Sequence, residues 1–413
     1  MRGRVDGGRV TRALAVPRHT VSVAPMVDIT HRHFRYMMRL ISRRAVLWTP
    51  MLVARKLDPR QLRYHPNEKP PVAQLGGDEE KSIIAAALRC QELGYSEVNL
   101  NLGCPARSAQ AGKHGILLML PESHDSLLSL VKTMSETLDI PVSCKVRIGV
   151  DDHDTYPFFR DFVGRLHAEG GITRFVVHAR KGLLKGLPQE LEHGPLRGIA
   201  MNQQRQAIPV TTRQNRLDEI VPLRYEYVHR LKREMPHLRI EINGGIGSIA
   251  QMQAQLKAGV DGVMLGRMAR DDPFFFAQVD TTIFGDDDRF KGLSPLEARL
   301  RVLEAYADYC RDEQAAGHEH SREMLLKPTN QLLAGLPEKD TYGRLIRSTP
   351  KAERPRLFGD ELKMAIAQLR STRARKKAPS RAQQVGRSPR KESQLPARKR
   401  GSDMKWDPRR TVY

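Results

Sequence analysis

Glu97-Val98-Asn99-Leu100-Asn101-Leu102-Gly103-Cys104-Pro105 is the stretch on which the reading of this 413-residue chain turns. A short apolar strand over 96–100 runs directly into a polar turn that carries a cysteine. Gly103 and Pro105 let the backbone leave the strand sharply, and each asparagine offers a donor and an acceptor. A small-residue basic loop, Ala106 to Gly115, follows. A thiol at a strand's carboxyl end beside basic residues points to chemistry on an anionic substrate. A buried structural cysteine in a loop is the alternative.

Outward from this stretch the chain has a regular rhythm. Further strands are expected at 21–27, 46–49, 71–75, 141–149, 173–180, 238–243 and 262–267. Helices are expected between them at 30–42 with Thr30 as N-cap, at 78–94 with Asp78 as N-cap, and at 124–138, 155–170, 223–235 and 248–258. Near-continuously apolar strands alternating with helices indicate a parallel sheet covered on both faces. Eight such units over about 265 residues specify an α/β fold, a (β/α)8 TIM barrel rather than an open doubly wound sheet. The stretch 188–216 breaks the rhythm and reads as a long surface loop. The expected organisation is a disordered basic extension (1–20), the barrel (21–288), a small helical domain (289–370) and a disordered basic tail (371–413).

Composition bounds the function. The chain is 40% hydrophobic, with no apolar run near the roughly 18 residues needed to span a bilayer, so no membrane role is expected. Cys90, Cys104, Cys144 and Cys310 are scattered without a C-x-x-C, which argues against a disulfide framework or a metal site and for a reducing compartment. The formal net charge is +22, favouring a polyanionic partner, nucleic acid first. Residues 371–413 account for +11 and residues 1–20 for +4, so the body between them is still basic at +7. The expected compartment is the cytoplasm, with organellar targeting by the Arg-rich N-terminus as the alternative. The expected state is a monomer.

In a barrel, polar residues at strand carboxyl ends read as site residues. Here these are Pro25 and Met26, Gln74, Asn99, Asn101 and Cys104, Lys145 and Arg147, His178 and Arg180, Asn243-Gly244-Gly245, and Gly266-Arg267. Gly-rich turns after the last two strands expose backbone N–H groups to an anion, and Arg267 adds a forked donor, so this end is a candidate phosphate site. Lys145 lies within an apolar strand and needs a compensating anion or acceptor; a salt-bridged barrel lysine is its bland reading. His178 is either a ligand contact or a satisfied core histidine. Cys144 faces away from Lys145 and is assigned to the core, as are Cys90 and Cys310.

Together these residues resemble a known family. Val23-Ala24-Pro25-Met26-Val27-Asp28-Ile29-Thr30, Gln74-Leu75-Gly76-Gly77, Asn99 to Pro105, Lys145-Val146-Arg147, His178-Ala179-Arg180-Lys181, Asn243-Gly244-Gly245-Ile246 and Gly266-Arg267 are similar, in order, to the motifs of the tRNA-dihydrouridine synthases. The nearest subgroup acts at positions 20 and 20a of the D-loop. The resemblance implies an FMN-binding barrel, a helical tRNA-binding domain, and NADPH as reductant. It implies hydride transfer from the flavin to C6 of a uridine and proton donation by Cys104 to C5. It places Pro25, Met26, Val27, Gln74, Lys145, His178, Asn243, Gly244, Gly245, Gly266 and Arg267 at the FMN, and Asn101, Arg216 and Arg322 at the tRNA. The insertion over about 194–213 and the basic tail depart from the family pattern. Two other readings compete: another FMN-dependent barrel reducing a small pyrimidine or enone, and a non-catalytic RNA-binding protein.

Overall fold

The computed structural model describes residues 19–184, 199–201, 207–209, 221–317, 321–348, 350 and 354–377. Its centre is an eight-stranded parallel sheet curled on itself. The barrel strands are β1 (Thr20–Val23), β2 (Trp48–Val53), β3 (Val72–Gly76), β4 (Glu97–Leu102), β5 (Val142–Arg147), β6 (Arg174–His178), β9 (Arg239–Asn243) and β10 (Gly262–Leu265). The short strands β7 (Ile199–Met201) and β8 (Ala207–Pro209) pair antiparallel outside it, within the stretch expected to be loop. The order is β1-β10-β9-β6-β5-β4-β3-β2. Closure comes from a parallel bridge between Ser22 and Val46, with Val23 N–H donating to the Val46 carbonyl and Val46 N–H to the Val21 carbonyl, both at 2.9 Å. This is the expected eight-unit architecture.

Side chains alternate along each strand, because successive Cβ atoms point to opposite faces. In β4, Val98, Leu100 and Leu102 pack with the helical layer, in the same core as Cys144, Val146, Phe175, Val177, Ile240 and Ile242. A second, smaller cluster of Ala24, Trp48, Val72, Val176 and Met264 fills part of the barrel interior. The other interior positions are polar and buried: Gln74, Glu97, Asn99, Asn101, Ser143, Glu241 and Asn243. Cys90, Cys144 and Cys310 are buried free thiols, as expected, and burial pushes the Cys90 thiol up to about 12.

Three local expectations need correction. The helix expected from Thr30 begins at Arg32 and has no side-chain cap. The Thr30 hydroxyl instead accepts from Met26 N–H at 3.0 Å and bonds the Met26 carbonyl at 3.1 Å, stapling the turn that carries Met26 and Val27. Asp78 does not cap the next helix, which spans Glu80–Glu92; it accepts from Arg55 at 3.0 Å, so an ion pair outcompetes the cap. The second strand does not end at Thr49 but continues to Val53, and its register against β3 shifts between Trp48 and Met51. Pro50, which lacks an N–H, falls inside that shift.

After the barrel come helices Pro295–Ala315, Arg322–Leu326, Glu338–Ser348 and Phe358–Lys377. The last runs seven residues past the expected boundary at 370. Helix Pro295–Ala315 packs on helix Arg32–Ile41: Tyr36 stacks on Tyr309 with ring centroids 3.8 Å apart, His33 and Tyr309 share a 2.8 Å hydrogen bond, and Arg32 pairs with Glu313 at 2.8 Å. Beneath this contact Arg35 and Glu68 form an ion pair at 2.8 Å whose side chains are 1% and 0% exposed. Arg35 also donates to the Thr30 carbonyl at 2.9 Å, linking the pair to the Met26 turn.

Candidate active site at the mouth of the barrel

Strand register sets the site. Parallel pairing places Gln74 opposite Asn99, Asn101 opposite Lys145, Arg147 opposite His178, and His178 opposite Asn243. The expected residues from the third to the seventh barrel strands therefore converge at one end of one barrel.

The Cys104 turn is held from two sides. Asn101 is 9% exposed, and its Oδ1 accepts from Gly103 N–H at 3.1 Å and from Cys104 N–H at 3.0 Å. On the other side Arg147 Nε donates to the Gly103 carbonyl at 2.8 Å, and its NH1 to the Lys181 carbonyl at 3.1 Å. The Cys104 carbonyl accepts from Ile116 N–H at 3.1 Å. Cys104 itself is half-buried and free. The thiol thus sits on a backbone fixed by side chains while keeping access to solvent.

Around His178 the neighbouring charges are of one sign, and Arg147, which also grips the turn, is one of them. His178 is half-buried, and burial first, then the positive charges of Arg147, Lys145, Arg180 and Arg267, holds its imidazole well below the usual histidine range. A neutral imidazole among four cationic side chains is a donor set for an anion. The glycine turn after β9 closes against it. Gly244 has φ +122°, and a Cβ there would come within 2.6 Å of Leu223 Cδ2 and 2.9 Å of His178 Cδ2, so only glycine fits. Tyr225 Oη donates to the Gly244 carbonyl at 2.5 Å, and Asn243 Nδ2 to the Met264 carbonyl at 2.8 Å, tying the last two barrel strands together. Gly266 approaches Ala24 and Met26, which brings the eighth strand's end to the first strand's turn.

The profile of the family described as Dihydrouridine synthase (Dus) matches residues 22–365. The chain belongs to the dihydrouridine synthase family. It is 40% identical over 330 residues to the tRNA-dihydrouridine(20/20a) synthase of Synechocystis sp., covering 79% of this chain and 88% of that one. It is 36% identical over 300 residues to the enzyme of the same name from Vibrio vulnificus, covering 72% and 82%, and 37% identical over 298 residues to that of Escherichia coli, covering 70% and 78%.

Within this Dus-family barrel, most of the residues named from the sequence meet at the mouth. Pro25, Met26 and Val27 form the first strand's turn, and Val27 is 58% exposed there. Asn101 and Gln74 have their amides engaged inside the protein. Arg322 lies elsewhere, on the C-terminal helices: its Nε donates to Glu361 at 2.8 Å, its NH2 to the Ile346 carbonyl at 2.8 Å, and its side chain keeps 28% exposure. Arg216 is outside the described residues. A groove of about 670 Å³, lined by Arg32, Arg63, Tyr64, His65 and Glu313 among others, runs beside the contact between helices Arg32–Ile41 and Pro295–Ala315.

Sequence reading assigned no role to several interior residues: Glu97, Ser143, Arg174 and Glu241. Arg174 pairs with Glu97 and, at 3.0 Å, with Glu241; burial works against its charge, but the two carboxylates outweigh it and raise the guanidinium. The signal was available. Polar residues recur at every second position in β4 (97, 99, 101) and β5 (143, 145, 147), which puts them on one face.

Proposed function

We propose that this protein is a flavin-dependent tRNA-dihydrouridine synthase, an oxidoreductase that reduces the C5–C6 double bond of a D-loop uridine at position 20 or 20a, with NADPH reducing a bound FMN. The observation that carries the reading is the gathering, at one end of one barrel, of a half-buried free thiol on a fixed turn with His178, the four cationic side chains around it and the glycine turn at Gly244. That donor set fits FMN: Gly244, Gly245, Gly266 and Arg267 suit its phosphate, Lys145 and His178 the electron-rich edge of its ring, and Pro25, Met26, Val27, Gln74 and Asn243 complete its bed.

FMN, when bound, supplies hydride to C6 of the uracil ring. The chain's own part is to hold base and thiol in line and to exclude misalignment. Cys104 Sγ–H gives its proton to C5 and regains one from solvent after turnover. A positioned acid contributes about 10²–10⁴-fold to such a step. The uridine must leave its stack to reach the mouth, as other base-modifying enzymes require. The relatives named 20/20a synthases support those positions. The segment 289–370 is assigned as the tRNA-binding helical module, with Asn101 near the target base, and Arg216 and the exposed face of Arg322 toward the RNA. The basic groove and the positive body supply phosphate attraction, so binding weakens with salt.

Dihydrouridine mapping of tRNA from cells lacking the protein tests this. Loss at position 20 or 20a is expected; loss only elsewhere refutes the position. Purified protein that is colourless and does not bind tRNA refutes the activity.

A further inference from the structure

A single line of hydrogen bonds runs through the barrel interior from its closed end to the Cys104 turn. Ser143 Oγ donates to Glu97 Oε1. The same Oγ accepts from Asn99 Nδ2 at 2.7 Å. Asn99 Oδ1 accepts from Gln74 Nε2 at 2.9 Å, and Gln74 Oε1 accepts from Asn101 Nδ2 at 2.8 Å. Asn101 Oδ1 then accepts from the backbone N–H groups of Gly103 and Cys104. Ser143 and Asn99 are 0% exposed and Gln74 is 1% exposed, so water does not compete along the line.

The line has a direction. A carboxylate can only accept, so Glu97, ion-paired with Arg174, leaves Ser143 to donate. Ser143 must then accept from the amide of Asn99, which leaves the Asn99 oxygen facing Gln74. The same choice passes to Gln74 and to Asn101. At the far end two N–H donors demand an oxygen, and the line delivers one. A reversed amide anywhere would set donor against donor in a dry interior, where an unsatisfied polar group is expensive.

We infer that Ser143, backed by the Glu97–Arg174–Glu241 ion cluster, is a positioning residue for the reduction: it sets the orientation of the Asn99–Gln74–Asn101 amides and through them the turn that presents Cys104. The inference rests on the reading of Cys104 as the acid, but its test does not depend on that reading alone.

The experiment compares the parent with Ser143→Ala and Ser143→Thr. Three readouts are taken: hydrogen exchange of the Gly103 and Cys104 amides, flavin reduction by NADPH, and single-turnover uridine reduction in unmodified tRNA. In Ser143→Ala the two amides should exchange faster and uridine reduction should fall on the order of tenfold to a hundredfold. NADPH oxidation and flavin absorbance should hold, and Ser143→Thr, which keeps the hydroxyl, should restore both lost properties. Unchanged exchange in Ser143→Ala overturns the inference, whether or not uridine reduction falls. If Ser143→Ala does not fold, Glu97→Gln takes its place: its amide no longer dictates a direction, and the same faster exchange is expected. Full uridine reduction in Cys104→Ala would sink the acid assignment while leaving the relay to be judged by exchange alone.

Discussion

Replacing Cys104 with alanine separates presentation of the thiol from its chemistry. The turn is held through backbone atoms: Asn101 grips the N–H groups of Gly103 and Cys104, Arg147 grips the Gly103 carbonyl, and Ile116 grips the Cys104 carbonyl. None of these bonds involves the sulfur, and the side chain is half-buried at the mouth rather than packed in the core. Removing Sγ therefore leaves the turn in place, and stability should change by less than about 0.5 kcal/mol. On the proposed role, what is lost is a positioned acid, about 10²–10⁴-fold, or roughly 2.7–5.4 kcal/mol of barrier at 1.36 kcal/mol per tenfold. The assay is a single-turnover conversion of uridine to dihydrouridine in unmodified tRNA by the pre-reduced enzyme, alongside NADPH oxidation and a urea melt. Cys104→Ala should keep its yellow colour, its NADPH oxidation and its melt, and lose two to four decades of uridine reduction. Conversion at the parent's rate would refute the acid role; equal loss of NADPH oxidation would place the thiol in the flavin's bed instead.

Three further outcomes are expected. Glu68→Ala strands the wholly buried Arg35 guanidinium and should destabilise the fold by about 3–5 kcal/mol in urea denaturation, because an unpaired buried charge is left behind. Gly244→Ala, at φ +122° with its new Cβ against Leu223 and His178, should cost about 1–3 kcal/mol and abolish flavin retention, read as absorbance of the purified protein. His178 is depressed below the usual 6.5 by burial and by its cationic neighbours, so the unfolded chain binds a proton here that the folded one refuses. Its contribution is complete above about 6.5 and is lost as pH falls below it, with a limiting slope of about 1.4 kcal/mol per pH unit. Urea melts of flavin-free protein at pH 7.5 and 5.5 should show a larger drop for the parent than for His178→Gln; identical drops would refute the depressed imidazole.

The strand rhythm, the eight-unit barrel and the polar residues at strand ends were legible along the chain, because period-two and helical patterns are local consequences of backbone geometry. So were the three core cysteines, since parity in a strand or on a helix face needs only counting. Caps were less legible. Thr30 and Asp78 are good capping residues taken by other partners: Thr30 by the backbone of Met26 in its own turn, Asp78 by Arg55, brought to it from 23 residues away. The continuation of the second strand through Pro50 likewise depended on a register shift against a neighbour no local rule could place.

What the sequence by itself determined is which residue types stand at the strand ends: a cysteine after the fourth barrel strand, lysine and histidine at later ones, glycines at the last two. Tertiary structure alone decided how they are aimed. Register brought Asn101 to Lys145 and Arg147 to His178. Parallel pairing joined the eighth strand to the first, and the Ser22–Val46 bridge closed the barrel. The direction of each buried amide was settled by partners up to 46 residues away, such as Glu97 on Ser143. A hydrogen bond's sense is a property of the pair that makes it, and such pairs exist only once the strands have been laid side by side.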